Sequence, residues 1–221
     1  TQKMAGETLA PIGSLYKAGV VAITDDGLCI QNNEVMRRAC EYATMFDLPV
    51  LDHCQDATLS AGGVMNEGYW STVLGLPGWP AIAEEIIVAR NILLAELTGA
   101  RVHCQHLSAV GSVRLIREAR ARGLEVTGEA MPHHLALTDG SLENYDTNFK
   151  MNPPLRTQRE IDALLEGIAD GTITILGSDH APHCDYEKEA EFVNAPFGII
   201  GLETELAIFF KTLIEPKVID W

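Results

Sequence analysis

Ile173-Thr174-Ile175-Leu176-Gly177-Ser178-Asp179-His180-Ala181-Pro182-His183 passes abruptly from a β-branched apolar run to a dense polar constellation. Residues 173–176 read as a short buried strand, and the metal-capable side chains follow where it ends. The same change recurs upstream. Val20-Val21-Ala22-Ile23-Thr24 stops at Asp25-Asp26-Gly27, and residues 49–51 deliver Asp52-His53-Cys54. Residues 100–104 lead to Gln105-His106, and residues 124–128 precede a polar loop with Pro132-His133-His134 and the segment 151–156.

Between these strands the pattern predicts helices over about 34–46, 80–97, 110–122 and 158–168, with a last one over about 202–213. Asn33 suits an N-cap, Pro80 a first helical turn, and Gly99 and Gly123 helix stops. Five βα units in one direction specify a parallel sheet with covering helices. No glycine-rich fingerprint follows any strand, which argues against a dinucleotide or phosphate-loop protein. In a (β/α)₈ barrel the strand ends converge on one face, where the active site sits. The expected fold is therefore α/β, a TIM barrel of the metal-dependent hydrolase type represented by about five βα units. Residues 1–221 are expected to be one partial catalytic domain that lacks the N-terminal strands, with about three further units coming from elsewhere. The start at Thr1 and the end at Asp220-Trp221 both read as cut.

Composition narrows the class. The 221 residues are 47% hydrophobic, 21% charged and 6% aromatic, with a formal net charge of -15. Such a chain repels nucleic acid and anionic membranes unless basic residues cluster, and its 16 are scattered. No apolar run approaches a membrane span. Five cysteines without tight pair spacing fit reduced thiols, so the expected setting is cytoplasmic.

Asp26, His53, His106 and Asp179 each stand at a strand end. A nitrogen- and oxygen-rich set without cysteine suits zinc or a similar divalent metal, which acidifies a water and polarises a carbonyl. Asp25 and Asp26 are not separable by sequence: either one ligates while the other supports the turn. His103 is expected to pack in or near its strand, as a support for the site rather than a ligand. His133 and His134 divide evenly between structural and substrate-facing readings. Cys54 and Cys104 lack a base and its orienter, and read as reduced thiols rather than nucleophiles. The prolines of Lys150-Met151-Asn152-Pro153-Pro154-Leu155-Arg156 stiffen a segment that can pre-position the Asn152 amide. The glycines of Asn194-Ala195-Pro196-Phe197-Gly198-Ile199-Ile200-Gly201 permit close backbone approach to a ligand.

Taken in order, Thr24-Asp25-Asp26-Gly27, Asp52-His53-Cys54, His106-Leu107-Ser108, Asn152-Pro153-Pro154-Leu155-Arg156, Gly177 to His183 and Gly198 to Thr204 resemble the successive motifs of the long-type dihydroorotases of the amidohydrolase superfamily. The resemblance covers almost the whole chain. It implies reversible, zinc-dependent cyclisation of N-carbamoyl-L-aspartate to (S)-dihydroorotate in pyrimidine synthesis, with one or two zinc ions per complete site. It implies Asp26, His53, His106 and Asp179 as metal ligands, Asp179 also as the general acid/base, and Asn152, His183, Phe197 and Gly198 as substrate-binding groups. The family also uses a His-x-His pair followed by an arginine, and no His-x-His occurs in this sequence. Those groups are expected in the missing N-terminal portion, so the fragment alone is expected to be incomplete. Two alternatives remain beside this: a hydantoinase, dihydropyrimidinase or allantoinase, which usually place a lysine where Asp26 stands, and a non-catalytic scaffold for aspartate transcarbamoylase. The expected partner is a small-molecule substrate, with a homo-oligomer and an aspartate transcarbamoylase complex both admitted.

Overall fold

The computed structural model describes residues 1–220. Seven short strands run in chain order: β1 (Ile23–Thr24), β2 (Val50–Asp52), β3 (Met65–Asn66), β4 (Gly78–Trp79), β5 (Val102–Cys104), β6 (Val126–Ala130) and β7 (Ile175–Leu176). Five of them form one parallel sheet in the order β1-β2-β5-β6-β7. Register is nearly level across it: Ile23 pairs with Val50, Val50 with Val102, and Val102 with Val126. Level, parallel strands place their C-terminal ends along one rim, and every candidate ligand lies just past that rim.

The connections are helical, as parallel pairing requires. The helices are α1 (Ile12–Lys17), α2 (Asn33–Thr44), α3 (Tyr69–Leu74), α4 (Ile82–Thr98), α5 (Val110–Ala121), α6 (Pro132–Ala136), α7 (Gln158–Ala169), α8 (Asp185–Lys188) and α9 (Glu205–Phe209). α2 buries Met36, Ala39, Cys40 and Ala43. α4, α5 and α7 add Ile87, Val88, Ile92, Val113, Ile116 and Leu164 to the same core, which closes on Val50, Val102 and Val126 of the sheet. Burying such aliphatic side chains contributes about 1.5–3 kcal/mol each and fixes the strands that carry the site.

Several boundaries move from their expected places. Asn32, not Asn33, caps α2, since its Oδ1 accepts from the N–H groups of Glu34 and Val35 at 2.9 and 3.2 Å. Gly99 ends α4 in the left-handed region (φ 69°), as expected of a helix stop. Strand 124–128 lies two residues later, at β6, which brings Glu129 into the sheet. The last helix is shorter than expected: α9 gives way to a wider helical turn over Phe210–Ile214.

The small β3–β4 pair, with α3 between, was not foreseen. A two-residue strand carries too little periodicity to register, and this one depends on close approach. A Cβ on Gly78 would sit 2.8 Å from Glu67.

β1 and β7 are the sheet's edges. The interior strands β5 and β6 bury Val102, Cys104, Val126 and Ala130, whereas Ile175 and Leu176 of β7 are 46% and 38% exposed. Among the described residues, no helix is long and apolar enough to cross a membrane.

Candidate metal centre

Three neighbouring strands each deliver one donor to the rim. Asp26 follows β1, His53 follows β2 and His106 follows β5. Their ligand atoms lie within 4.8 Å of one another. Nδ1 of His53 and Nε2 of His106 are 2.8 Å apart, and Oδ1 of Asp26 is 3.5 Å from each. Both imidazoles are buried, while the Asp26 side chain is 47% exposed. Asp25 is excluded from the group. It is buried and takes the Thr1 ammonium at 2.5 Å together with the Thr1 hydroxyl.

Gln55 sets the state of His53. Its Oε1, which can only accept, lies 2.7 Å from His53 Nε2 and accepts from Asn152 Nδ2 at 3.1 Å. Its Nε2 donates to Ser60 Oγ at 2.8 Å. His53 therefore carries its proton on Nε2 and turns the Nδ1 lone pair into the cluster, the orientation a metal ligand requires.

The electrostatics are strongly coupled. The neighbouring His106 and His53 hold the Asp26 carboxyl far below the usual carboxylate range, against the opposing effect of burial. Burial works to lower the His106 pKa, but the hydrogen bond with Asp26 and the charges of Asp179, Asp26 and Glu129 together raise it. At β7 the Asp179 carboxyl is pushed up, chiefly by burial and further by the charges of Asp26 and Glu129, while the histidines pull the other way.

Asp179 is not one of the three clustered donors. Its Oδ2 is buried without a hydrogen-bond partner. Asp179 (φ 44°) and His106 (φ 33°) both hold positive φ, which costs a side-chain-bearing residue energy and recurs at functional sites. Two imidazole nitrogens and a carboxylate oxygen converging beside an unpartnered buried carboxylate fit a divalent cation.

The other sequence candidates fall into two groups. Asn152 reaches the centre through Gln55, and its Oδ1 is buried without a partner. His183 sits farther out, its Nε2 donating to the Phe197 carbonyl at 2.8 Å. Phe197 meets Trp79 edge to face at 6.2 Å. Gly198 packs so closely that a Cβ would lie 2.4 Å from the Ala181 carbonyl and 2.9 Å from the His183 ring. His180 accepts from the N–H groups of Gly201 and Leu202 and so holds a turn.

Glu129 and Gln55 escaped the sequence reading. One Glu129 oxygen accepts from the His106 N–H at 3.1 Å, and the other lies 3.2 Å from His103 Nε2. His103 also meets Thr127 Oγ1 at 2.8 Å, so it braces Glu129 beneath the rim. The only available signal for Gln55 was a polar residue two places after a strand-end histidine. His134 is structural, with Nε2 donating to the Pro153 carbonyl at 3.0 Å. His133 is buried with neither ring nitrogen partnered, and burial, with the nearby His106, lowers its pKa to about 3. Cys54 is buried beside Cys104, and burial drives its thiol well upward, which removes it as a nucleophile.

Residues 1–112 match the family model described as dihydro-orotase-like. The chain is 53% identical over 219 residues to a dihydroorotase of Pelotomaculum thermopropionicum, covering 99% of this chain and 51% of that protein. It is 47% identical over 223 residues to a dihydroorotase of Streptomyces coelicolor, covering 100% and 52%. The chain thus spans about half the length of the relatives it matches. In fold it resembles the dihydropyrimidinase of Brevibacillus agri NCHU1002, with a TM-score of 0.80 at 24% identity over 94% of this chain and 48% of the other. The D-hydantoinase of a Bacillus sp. AR9 gives 0.81 at 23% identity, again over 94% and 48%. The parallel sheet and its helices therefore share the TIM-barrel fold of these proteins, over about half of each.

Proposed function

This chain belongs to the dihydro-orotase-like family, and on that premise we propose that the complete protein is a zinc-dependent dihydroorotase. It would interconvert N-carbamoyl-L-aspartate and (S)-dihydroorotate. The observation that carries the reading is the convergence of Asp26, His53 and His106 at three adjacent strand ends beside the unpartnered Asp179 carboxylate.

In this reading Asp26, His53, His106 and Asp179 hold zinc, with Gln55 keeping the Nδ1 lone pair of His53 turned inward. Zinc would supply Lewis acidity at the scissile carbonyl and lower the pKa of the attacking water. Asp179 moves the proton. In hydrolysis it takes one from the water as the oxygen adds to the ring carbonyl, then gives it to the ring nitrogen as the C–N bond breaks. Cyclisation reverses both transfers. A carboxyl whose pKa is raised by burial suits that shuttle, because it both accepts and releases a proton more evenly. The unpartnered Oδ1 of Asn152 would accept from a ring N–H, and His183 with the Phe197–Gly198 backbone would hold the ring and its carboxylate.

The rest of the protein would supply strands that pair with β1 and β7, together with a His-x-His pair and a carboxylate-binding arginine. The complete protein would bind a small-molecule substrate and could do so as a homo-oligomer. Reduced thiols support a cytoplasmic setting.

The test is a substrate comparison with the full-length protein, before and after chelation and zinc return. Dihydroorotate should be hydrolysed in preference to dihydrouracil and hydantoin, with activity lost to the chelator and restored by zinc. Preference for either of the other two rings would move the assignment to a hydantoinase-type enzyme. Inactivity on all three with zinc bound would favour a scaffold.

A further inference from the structure

Lys150 is buried to 2% exposure and yet carries an ammonium. Its Nζ donates to the carbonyls of Phe192, Val193 and Ala195 at 2.7, 3.0 and 2.6 Å, which uses all three of its N–H bonds. The same nitrogen lies over the Phe192 and Phe197 rings, 5.3 and 4.6 Å from their centroids. The Lys150 carbonyl accepts from the Gly198 N–H at 2.8 Å. Lys188 clasps the same loop from a second side, donating to the carbonyls of Thr147, Pro196 and Gly198 at 3.0, 3.0 and 2.7 Å.

Three backbone carbonyls aimed at one point are costly to bury without a cation, and a buried lysine is costly without acceptors. Each is the other's compensation. The clasped loop is the one that ends on Phe197 and Gly198, and His183 donates to the Phe197 carbonyl. Lys150 also stands two residues before Asn152 on the same stiff segment. One side chain thus ties together two separate pieces of chain that the functional reading assigns to the substrate.

We propose that Lys150 is a positioning residue for substrate: its ammonium holds loop 192–198 against the Asn152 segment, so that Phe197, Gly198 and His183 stand at the distance the ring and carboxylate require. This rests on the dihydroorotase reading for the identity of the ligand. Loop position acts on the ground state and the transition state alike, so its loss appears in KM rather than kcat.

The experiment uses the full-length protein and its Lys150→Met variant, which keeps the apolar stem and removes the donors. Steady-state dihydroorotate hydrolysis, zinc content and amide exchange across 192–201 are measured side by side. The expected result is KM raised about tenfold or more with kcat within about threefold, zinc unchanged and faster exchange confined to the loop. Lys150→Arg, which keeps the charge but presents a planar fork, should recover the two readouts only in part and together. Unchanged KM despite faster loop exchange would overturn the proposal, as would kcat and zinc falling together. If Lys150→Met fails to fold, Lys188→Met loosens the same loop from its other side and must show the same KM-only effect. A wild-type protein silent on dihydroorotate would defeat the functional reading instead. Lys150 would then be judged on exchange alone, with an unperturbed loop in Lys150→Met counting against it.

Discussion

The interior strands β2 and β5 and the edge strands β1 and β7 supply different chemistry to the same rim. The interior pair contributes His53 and His106, both buried, held in place by strands paired on both sides. The edge pair contributes carboxylates: Asp26, with a side chain 47% exposed, and Asp179, half-buried with one oxygen unpartnered. The imidazoles are positioned by packing and by Gln55 and Glu129 behind them. Asp26 lies 3.5 Å from both imidazoles, whereas Asp179 keeps one oxygen unpartnered. The donors thus divide by element, nitrogen from β2 and β5 and oxygen from the strands β1 and β7, with which the rest of the protein is proposed to pair.

That contrast can be broken most severely from its interior side. Replacing His106 by alanine removes a buried imidazole from the three-residue cluster. Zinc content of the full-length protein should fall, and dihydroorotate hydrolysis should drop by roughly 10³-fold or more. Retained zinc and activity would mean that the nitrogen half is not the anchor. From the edge, Asp179→Asn should leave most zinc in place while lowering kcat by about 10²–10⁴-fold, the range of a lost proton carrier. A loss of zinc equal to that in His106→Ala would erase the distinction between the two halves.

The support behind the imidazoles should show a smaller effect. Gln55→Leu frees the His53 ring to adopt the other tautomer, and zinc affinity should weaken about 10–100-fold, read by competition with a chromophoric chelator. An unaltered affinity would show that packing alone orients His53.

A last effect, away from the cluster, concerns acid stability. The folded-state pKa of His133, about 3, lies below its unfolded value of 6.5. Its neutral form therefore favours the fold above pH 6.5, and that contribution is lost as pH falls from 6.5 towards 3, because the unfolded chain takes up the proton first. His133→Gln should flatten the decline in denaturant midpoint over that window. Parallel curves for the two proteins would show that His133 finds a proton-accepting partner in solution.

The sequence was informative where apolar runs end in metal-capable residues. All five βα units, the parallel direction and the strand-end positions of Asp26, His53 and His106 were legible, because a buried strand and its polar terminus differ in composition over a few residues. Less legible were features made by residues far apart in the chain. Glu129 reaches His106 only because β6 begins two residues later than its apolar pattern suggests. Gln55 joins His53 to Asn152 across 97 positions. Lys150 gave no sign of burial, since its three acceptors are backbone carbonyls and carry no residue identity. Sequence also left Asp25 and Asp26 undecided, and only Asp26 joins the cluster with His53 and His106.

The central claim is that this chain carries one half of a zinc-dependent cyclic-amide site. Its most direct test is to measure bound zinc and dihydroorotate hydrolysis for the 221-residue chain and the full-length protein in parallel. Zinc bound by both, with turnover in the full-length protein alone, is the predicted result. Equal turnover by the shorter chain would contradict the half-site account, and silence in both with zinc bound would contradict the dihydroorotase reading itself.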